Sequence, residues 1–370
     1  MTVPILDLKP AYDELAGELD AAYRRVMASG RYLLGPELEA FEAEYARFSG
    51  TRHCVGVANG LEALQMALMA AGIGPGAEVI VPSNGYIAAW LAVTHAGATP
   101  VPCEPLEDTF NLDPDRIEPL VTPRTRAILP IDLYGQPADM TAIMGIAASR
   151  GLFVLEDAAQ SHGATCRGRP AGCLGHAAGI SFYPSKNLGA FADAGAVTTD
   201  DAALAEKVRV LRNYGSKERY KNDLAGLNSR LDELQAAFLR ARLAHLPDWN
   251  ARRKPLAARY LARLRGVGDL VLPAVPEWAD PVWHLFVIRS RRRDALARHL
   301  GALGVGTQVH YPTPPHLSGA YRGAGWKAGD FPIAERLAAQ VLSLPIGPHV
   351  SPEQVDCVCD AIASFFSGTP

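Results

Sequence analysis

Strand patterns that are apolar on both faces, separated by helical ones, constrain this chain more than any other feature. They run from about residue 50 to residue 200. "HCVGVANG" reads as a strand ending in a glycine turn. "LEALQMALMAAG" then places apolar residues at helical spacing up to Gly72. "AEVIVPS" is a strand, and "YIAAWLAVTHAG" a helix ending at Gly97. "ATPVPCE" and "RAILPIDLYG" are strands, the second followed by the helix "ADMTAIMGIAASRG". "LFVLED", "AGISFY" and "GAVTTD" complete the set. A strand without a polar face has to be covered on both sides, so helices over both faces of a largely parallel sheet are expected. Residues 231–264 are helical in period, interrupted near Pro247. Beyond them lie strand candidates "HLFVIR" and "GVGTQVHY" around the helical "DALARHLGALG". The expected architecture is α/β: a large domain over 1–245 with a mostly parallel sheet flanked by helices, and a smaller C-terminal α+β domain over 246–370.

Composition narrows the function classes. The 370 residues are 48% hydrophobic and 20% charged, an ordinary globular balance. A net charge of −3 argues against a nucleic-acid-coating surface, and Arg291–Arg292–Arg293 reads as a solvated turn or helix start. The six cysteines form no paired C-x-x-C with histidines, so no metal site is expected, and reduced thiols in a cytoplasmic protein are. The N-terminus lacks a basic start followed by an apolar core, and no stretch approaches 18 uninterrupted apolar residues.

In parallel sheets, ligands bind outside the carboxyl ends of the strands. Those ends carry Asn59–Gly60, Ser83–Asn84, Asp132, Asp157 and Tyr183. Asp157 closes "LFVLED", where a carboxylate could cap a helix or bind a metal, a ribose or a protonated ring nitrogen. Lys186 lies 29 residues on, in "GISFYPSKNLGAFADAGAVTTDD", a cation among small residues built for tight packing. An acid at one strand end and a lysine just past another can face one pocket. The pairing suits pyridoxal phosphate, whose aldehyde bonds a lysine and whose ring nitrogen stays protonated beside a carboxylate. Gly60 and Leu61, opening a helix, offer free N–H groups to a phosphate, and Ser181 a hydroxyl. Tyr86 could stack on the ring or pack in the core, and Gln160, a helical turn after Asp157, could reach a phenolic oxygen. A free lysine with a pKa of about 10.4 is neutral at pH 7 only to the order of 10⁻³, so a reacting lysine needs its charged form destabilised.

With these residues in view, the chain resembles the DegT/StrS family of pyridoxal-phosphate nucleotide-sugar aminotransferases, of the aspartate-aminotransferase fold (fold type I). The similar segments are "SGRYLLGPELEAFEAEYARFSG", "VGVANGLEAL", "EDAAQSHGA", "SFYPSKNLGAFADAGAVTTD", "LRNYGS", "LNSRLDELQAA" and "VHYP". The resemblance implies that Lys186 bonds the cofactor, Asp157 pairs with the pyridinium nitrogen, Gln160 with the phenolic oxygen, and Tyr86 stacks on the ring. It gives the phosphate to Gly60, Leu61 and Ser181, with Asn228 reaching it from a neighbouring subunit of a homodimer. Tyr183, Arg219, Tyr220, His310 and Tyr311 are candidate contacts to the nucleotide sugar, the last two on the strength of the resemblance; "SKERYKND" (216–223) otherwise reads as an exposed surface loop, His316 as a loop residue and His162 as structural. The implied donor is L-glutamate, and pyridoxamine phosphate the intermediate form of the cofactor. "EDAAQSHGA" and "DAGAVTTD" look like members acting at C-3 of nucleotide-linked 3-keto-6-deoxyhexoses. C-4 amination, a cyclitol substrate or a non-catalytic cofactor-binding regulator are the alternatives; the related dehydratases resemble the family with histidine in place of the lysine. Gly85 departs from the pattern, where similar sequences often carry threonine.

Overall fold

The computed structural model describes residues 2–218 and 220–368. The apolar runs become the strands β1 (His53–Val57), β2 (Glu78–Pro82), β3 (Thr99–Cys103), β4 (Thr125–Ile128) and β5 (Phe153–Asp157). After the two-residue strands β6 (Thr165–Cys166) and β7 (Arg169–Pro170) come β8 (Ala177–Ser181) and β9 (Gly195–Thr199). Seven of these form one sheet in the order β1-β9-β8-β5-β4-β2-β3. β9 alone is reversed, pairing antiparallel with both β1 and β8, while the β3-β2-β4-β5-β8 pairs are all parallel. Val79, Val81, Leu155 and Val197 pack against one covering helix layer; Ile80, Ile128 and Val154 pack against another, so both faces are buried.

The helices are α1 (Lys9–Ser29), α2 (Pro36–Ser49), α3 (Gly60–Ala70), α4 (Ala88–His95), α5 (Met140–Arg150), α6 (Ala202–Leu211), α7 (Glu233–Leu243) and α8 (Leu246–Leu264). Pro247 falls in the first turn of α8, where its missing N–H costs nothing, and that is why the long helical pattern breaks there. The short strands β10 (Ser216–Glu218), β11 (Lys221–Asn222) and β12 (Ala279–Asp280) follow β9 in the chain. A second core gathers Leu256, Tyr260 and Leu264 of α8 around the antiparallel pair β13 (Phe286–Arg289) and β14 (Val341–Leu344), with α9 (Arg293–Ala302) and α11 (Pro352–Ser367), α10 (Pro332–Gln340) lying between them in sequence. Val3 joins this core and bridges to Val305.

The strand expected over "GVGTQVHY" does not form. The segment makes only single bridges, Val305 to Val3 and Gln308 to Ser343. Gly306 passes so close to the N-terminal segment that a Cβ there would lie 2.6 Å from the Ile5 nitrogen, and the chain switches neighbours before a ladder can extend. This irregular backbone brings His310 and Tyr311 to the strand ends of the main sheet. No helix among the described residues is long and apolar enough to cross a membrane.

Candidate active site

The site lies beyond the carboxyl ends of β5 and β8. Asp157 ends β5, its backbone held on one side by Pro130 and Asp132 (2.9 and 3.0 Å). Its Oδ1 accepts the N–H of Ala159 at 3.1 Å. Burial is the main cause of its raised pKa, about 6, with Ala159 and Lys186 pulling the other way. Lys186 follows β8, its N–H donating to the Tyr183 carbonyl at 2.8 Å. Burial lowers its pKa to about 8, and the opposing attraction comes from Asp157. The two groups separated in sequence are therefore close enough for their charges to act on each other. The Lys186 amine makes no hydrogen bond among the described residues.

α3 begins at Gly60 because Asn59 caps it, its side chain accepting the N–H of Glu62 at 2.9 Å. The N–H groups of Gly60 and Leu61 have no acceptor among the described residues. Ser181 sits directly opposite: a Cβ on Gly60 would lie 2.6 Å from Ser181 Cβ. Only glycine lets the helix start come this close to the end of β8, and the result is a cradle of two amides and a hydroxyl at a helix N-terminus.

The opposite wall is aromatic. The rings of Tyr86 and Tyr311 are 5.2 Å apart, tilted by 37°. Gln160 Nε2 donates to the Tyr311 hydroxyl at 3.2 Å, while its Oε1 accepts the N–H of Tyr134 at 2.7 Å. The Tyr134 hydroxyl donates to the His310 carbonyl. His310 Nδ1 lies 2.7 Å from Ser343 Oγ. Burial, aided by the Lys186 charge, lowers the His310 pKa to about 4, so this imidazole is neutral at pH 7. Gly85 adopts φ +93°, and a Cβ there would stand 3.0 Å from Ile131 Cδ1. A threonine would be strained at this backbone angle, so the departure is a turn requirement as much as added space.

The remaining residues stand apart. The Tyr183 side chain is 53% exposed although its carbonyl receives Lys186. Tyr220 is 83% exposed, and Asn228 is exposed and bridges to Asn213. Arg219 lies outside the described residues. His162 is packed among Tyr45 and Phe182. His316 is buried against Glu335 at 3.1 Å. Sequence reading missed Tyr134, Asn187 and His284. Asn187 adjoins the lysine in "PSKN", the one local signal available; nothing in the sequence marks the other two.

The model of the DegT/DnrJ/EryC1/StrS aminotransferase family matches residues 13–363. The chain belongs to this family. A relative from Streptomyces venezuelae, named dTDP-3-amino-3,4,6-trideoxy-alpha-D-glucose transaminase, is 58% identical over 98% of this chain and 96% of its own length. The dTDP-3-amino-3,6-dideoxy-alpha-D-galactopyranose transaminase of Aneurinibacillus thermoaerophilus is 48% identical over 98% and 99%. Among solved structures, S. venezuelae DesV, in complex with a ketimine intermediate, superposes with a TM-score of 0.98 at 57% identity over the whole of both chains. The family member described here is a pyridoxal-phosphate-dependent aminotransferase acting on nucleotide-linked keto sugars.

Proposed function

We propose that the enzyme moves the amino group of L-glutamate to C-3 of a nucleotide-linked 3-keto-6-deoxyhexose, giving a 3-amino-3,6-dideoxyhexose, and that it works as a homodimer. The observation that carries the reading is the pairing of a lysine whose charge is destabilised by burial with a buried carboxylate at adjacent strand ends. The names of the two relatives, both 3-amino-sugar transaminases, favour C-3.

The donor set fits the cofactor. The Gly60–Leu61–Ser181 cradle matches a phosphate; Asp157 offers an anion for the ring nitrogen. Gln160 turns its NH₂ end inward because Tyr134 occupies its oxygen, as a phenolic oxygen requires. Tyr86 offers a flat face. When bound, pyridoxal phosphate supplies a cationic ring that accepts the electron pair left on the donor's α-carbon.

The chain supplies the rest. Lys186 would hold the cofactor and, when its amine is free, would act as the base. With a pKa of about 8, roughly one amine in ten is neutral at pH 7, against the order of 10⁻³ for free lysine. Its Nζ takes the α-proton of glutamate and, in the second half-reaction, returns a proton to the sugar carbon; positioned transfer of this kind is worth about 10²–10⁴-fold. Asp157 stays mostly ionised at pH 7 and holds the ring nitrogen's proton. Tyr183, Arg219, Tyr220, His310 and Tyr311 contact the nucleotide sugar, and Asn228 reaches the phosphate across the dimer interface. Purified protein is then yellow, and excess glutamate bleaches it. Incubation with 3-keto and 4-keto nucleotide sugars, with the new C–N bond located by NMR, tests the position. Amination of the 4-keto sugar alone would overturn it.

A further inference from the structure

The residue after Lys186 is held by a chain of polar side chains. Asn187 is buried, as are Asn250 and His284. Asn187 Nδ2 donates to Asn250 Oδ1 at 2.9 Å and to the Val282 carbonyl at 3.2 Å. Its Oδ1 lies 3.2 Å from His284 Nδ1. An amide oxygen only accepts, so His284 carries its proton on Nδ1. Asn250 Nδ2 donates to the His162 carbonyl at 2.8 Å, which fixes its own orientation. Four separate pieces of backbone meet here: the loop after β5 with Asp157 and Gln160, α8, the lysine loop, and the segment leading to β13.

From this juxtaposition we propose that the Asn187–His284 hydrogen bond is a positioning device for Lys186, fixing the root of its side chain so that the amine reaches both carbons between which it moves a proton. The inference rests on Lys186 being the cofactor-bonding lysine. Reach matters because a displacement of about 1 Å costs about 10²-fold in rate. Asn187 has no role toward substrate; what it contributes is a fixed Cα one residue from the reacting amine. The titratable groups facing Lys186 are Asp157 after β5, His162 on the same loop, His284 before β13 and His310; Arg253 of α8 faces His284. Burial and the Lys186 charge keep His284 neutral, which leaves a single ring proton for Asn187.

Two polar substitutions separate positioning from bulk. His284→Asn keeps an N–H where Nδ1 stood; His284→Gln moves it to where Nε2 stood. In full-length protein stripped of cofactor, amines are acylated across a pH series and Lys186 is followed by peptide mass mapping. His284→Asn should keep the wild-type midpoint. His284→Gln should raise it by about one pH unit, toward free lysine, as the side chain loosens into solvent. In the loaded enzyme, kcat of His284→Gln should fall about 10-fold or more, with KM for the nucleotide sugar within about twofold. Indistinguishable Asn and Gln variants would overturn the proposal. If His284→Gln does not fold, Asn187→Ser decides on the same readouts, an unmoved midpoint and kcat counting against it. Borohydride reduction of the loaded wild type keeps the two claims apart. A label away from Lys186 removes the functional reading, whereas a label on Lys186 with unmoved midpoints removes only the clamp.

Discussion

Asp157, Gln160 and His310 are buried or nearly so, and each is hydrogen-bonded within the chain. On other loops, Tyr86, Tyr183, Tyr214 and Tyr220 present 49–83% of their surface to solvent. Phe191 and Leu224 are exposed beside them in sequence. Exposed aromatic groups of this size are candidates for contact with a ligand or a second chain. The inner wall is thus held by hydrogen bonds within one chain, whereas these rim residues are exposed. On the proposed reading, the chemistry falls to the first, and sugar recognition and a partner subunit to the second.

The sharpest way to break this division is Lys186→Ala. Glutamate-dependent amination should fall by at least about 10⁴-fold while the far-UV spectrum stays unchanged. Activity near wild type would move the chemistry away from the inner wall. Asp157→Asn should cost about 10²–10³-fold in kcat, because an amide cannot balance the ring cation. Its pH dependence has a definite sign. Below its folded pKa of about 6 the carboxyl is protonated and cofactor affinity should weaken, which a fluorescence titration of binding against pH reads directly. In the cofactor-free protein the same raised pKa acts oppositely. The unfolded value is about 4, so Asp157 adds stability below that, and loses it as pH rises through about 6. Asp157→Asn should flatten that part of the Tm-against-pH curve.

Gly60→Ala probes the inner wall without touching a charge. The added methyl would meet Ser181 Cβ at 2.6 Å, so either the helix start or the end of β8 must give way. Overpacking of this kind costs about 1–3 kcal/mol, and cofactor affinity should drop about 10-fold or more by equilibrium dialysis. Unchanged affinity would show that the phosphate sits elsewhere.

The inner wall was also the more legible half. Apolar runs locate strands, strand ends locate ligands, and Asp157, Lys186, Gly60 and Ser181 all lie at or just past such ends. The sheet's parallel core followed from the same runs, although nothing in "GAVTTD" distinguishes a reversed strand. Periodicity reports burial, however, and not the identity of the neighbour. Tyr134 and His310 meet across 176 residues, and Asn187 and His284 across 97. No local pattern encodes such meetings. "GVGTQVHY" misled for a related reason: its alternation is real, but its two neighbours are single bridges on different segments. Tyr183 and Tyr220, candidate substrate contacts in the sequence, are 53% and 83% exposed in the single chain.

The smallest expected effect bears most directly on that rim. Asn228 is exposed and bridged only to Asn213, with nothing of its own pocket in reach among the described contacts. If it serves the phosphate of the other subunit, Asn228→Ala should weaken cofactor binding by about tenfold, the worth of one hydrogen bond to a charged group. Mixing it with Lys186→Ala then separates reach across the interface from reach within the chain. In a two-fold dimer, exchange leaves half the dimers mixed. Each mixed dimer carries both defects at one site and neither at the other, so about a quarter of all sites recover full function. Were Asn228 to act within its own chain, every site in the mixture would keep at least one defect, and the mixture would run no faster than the sum of its parts. Activity in the mixture at limiting cofactor, measured against each variant alone, therefore decides which chain completes the rim.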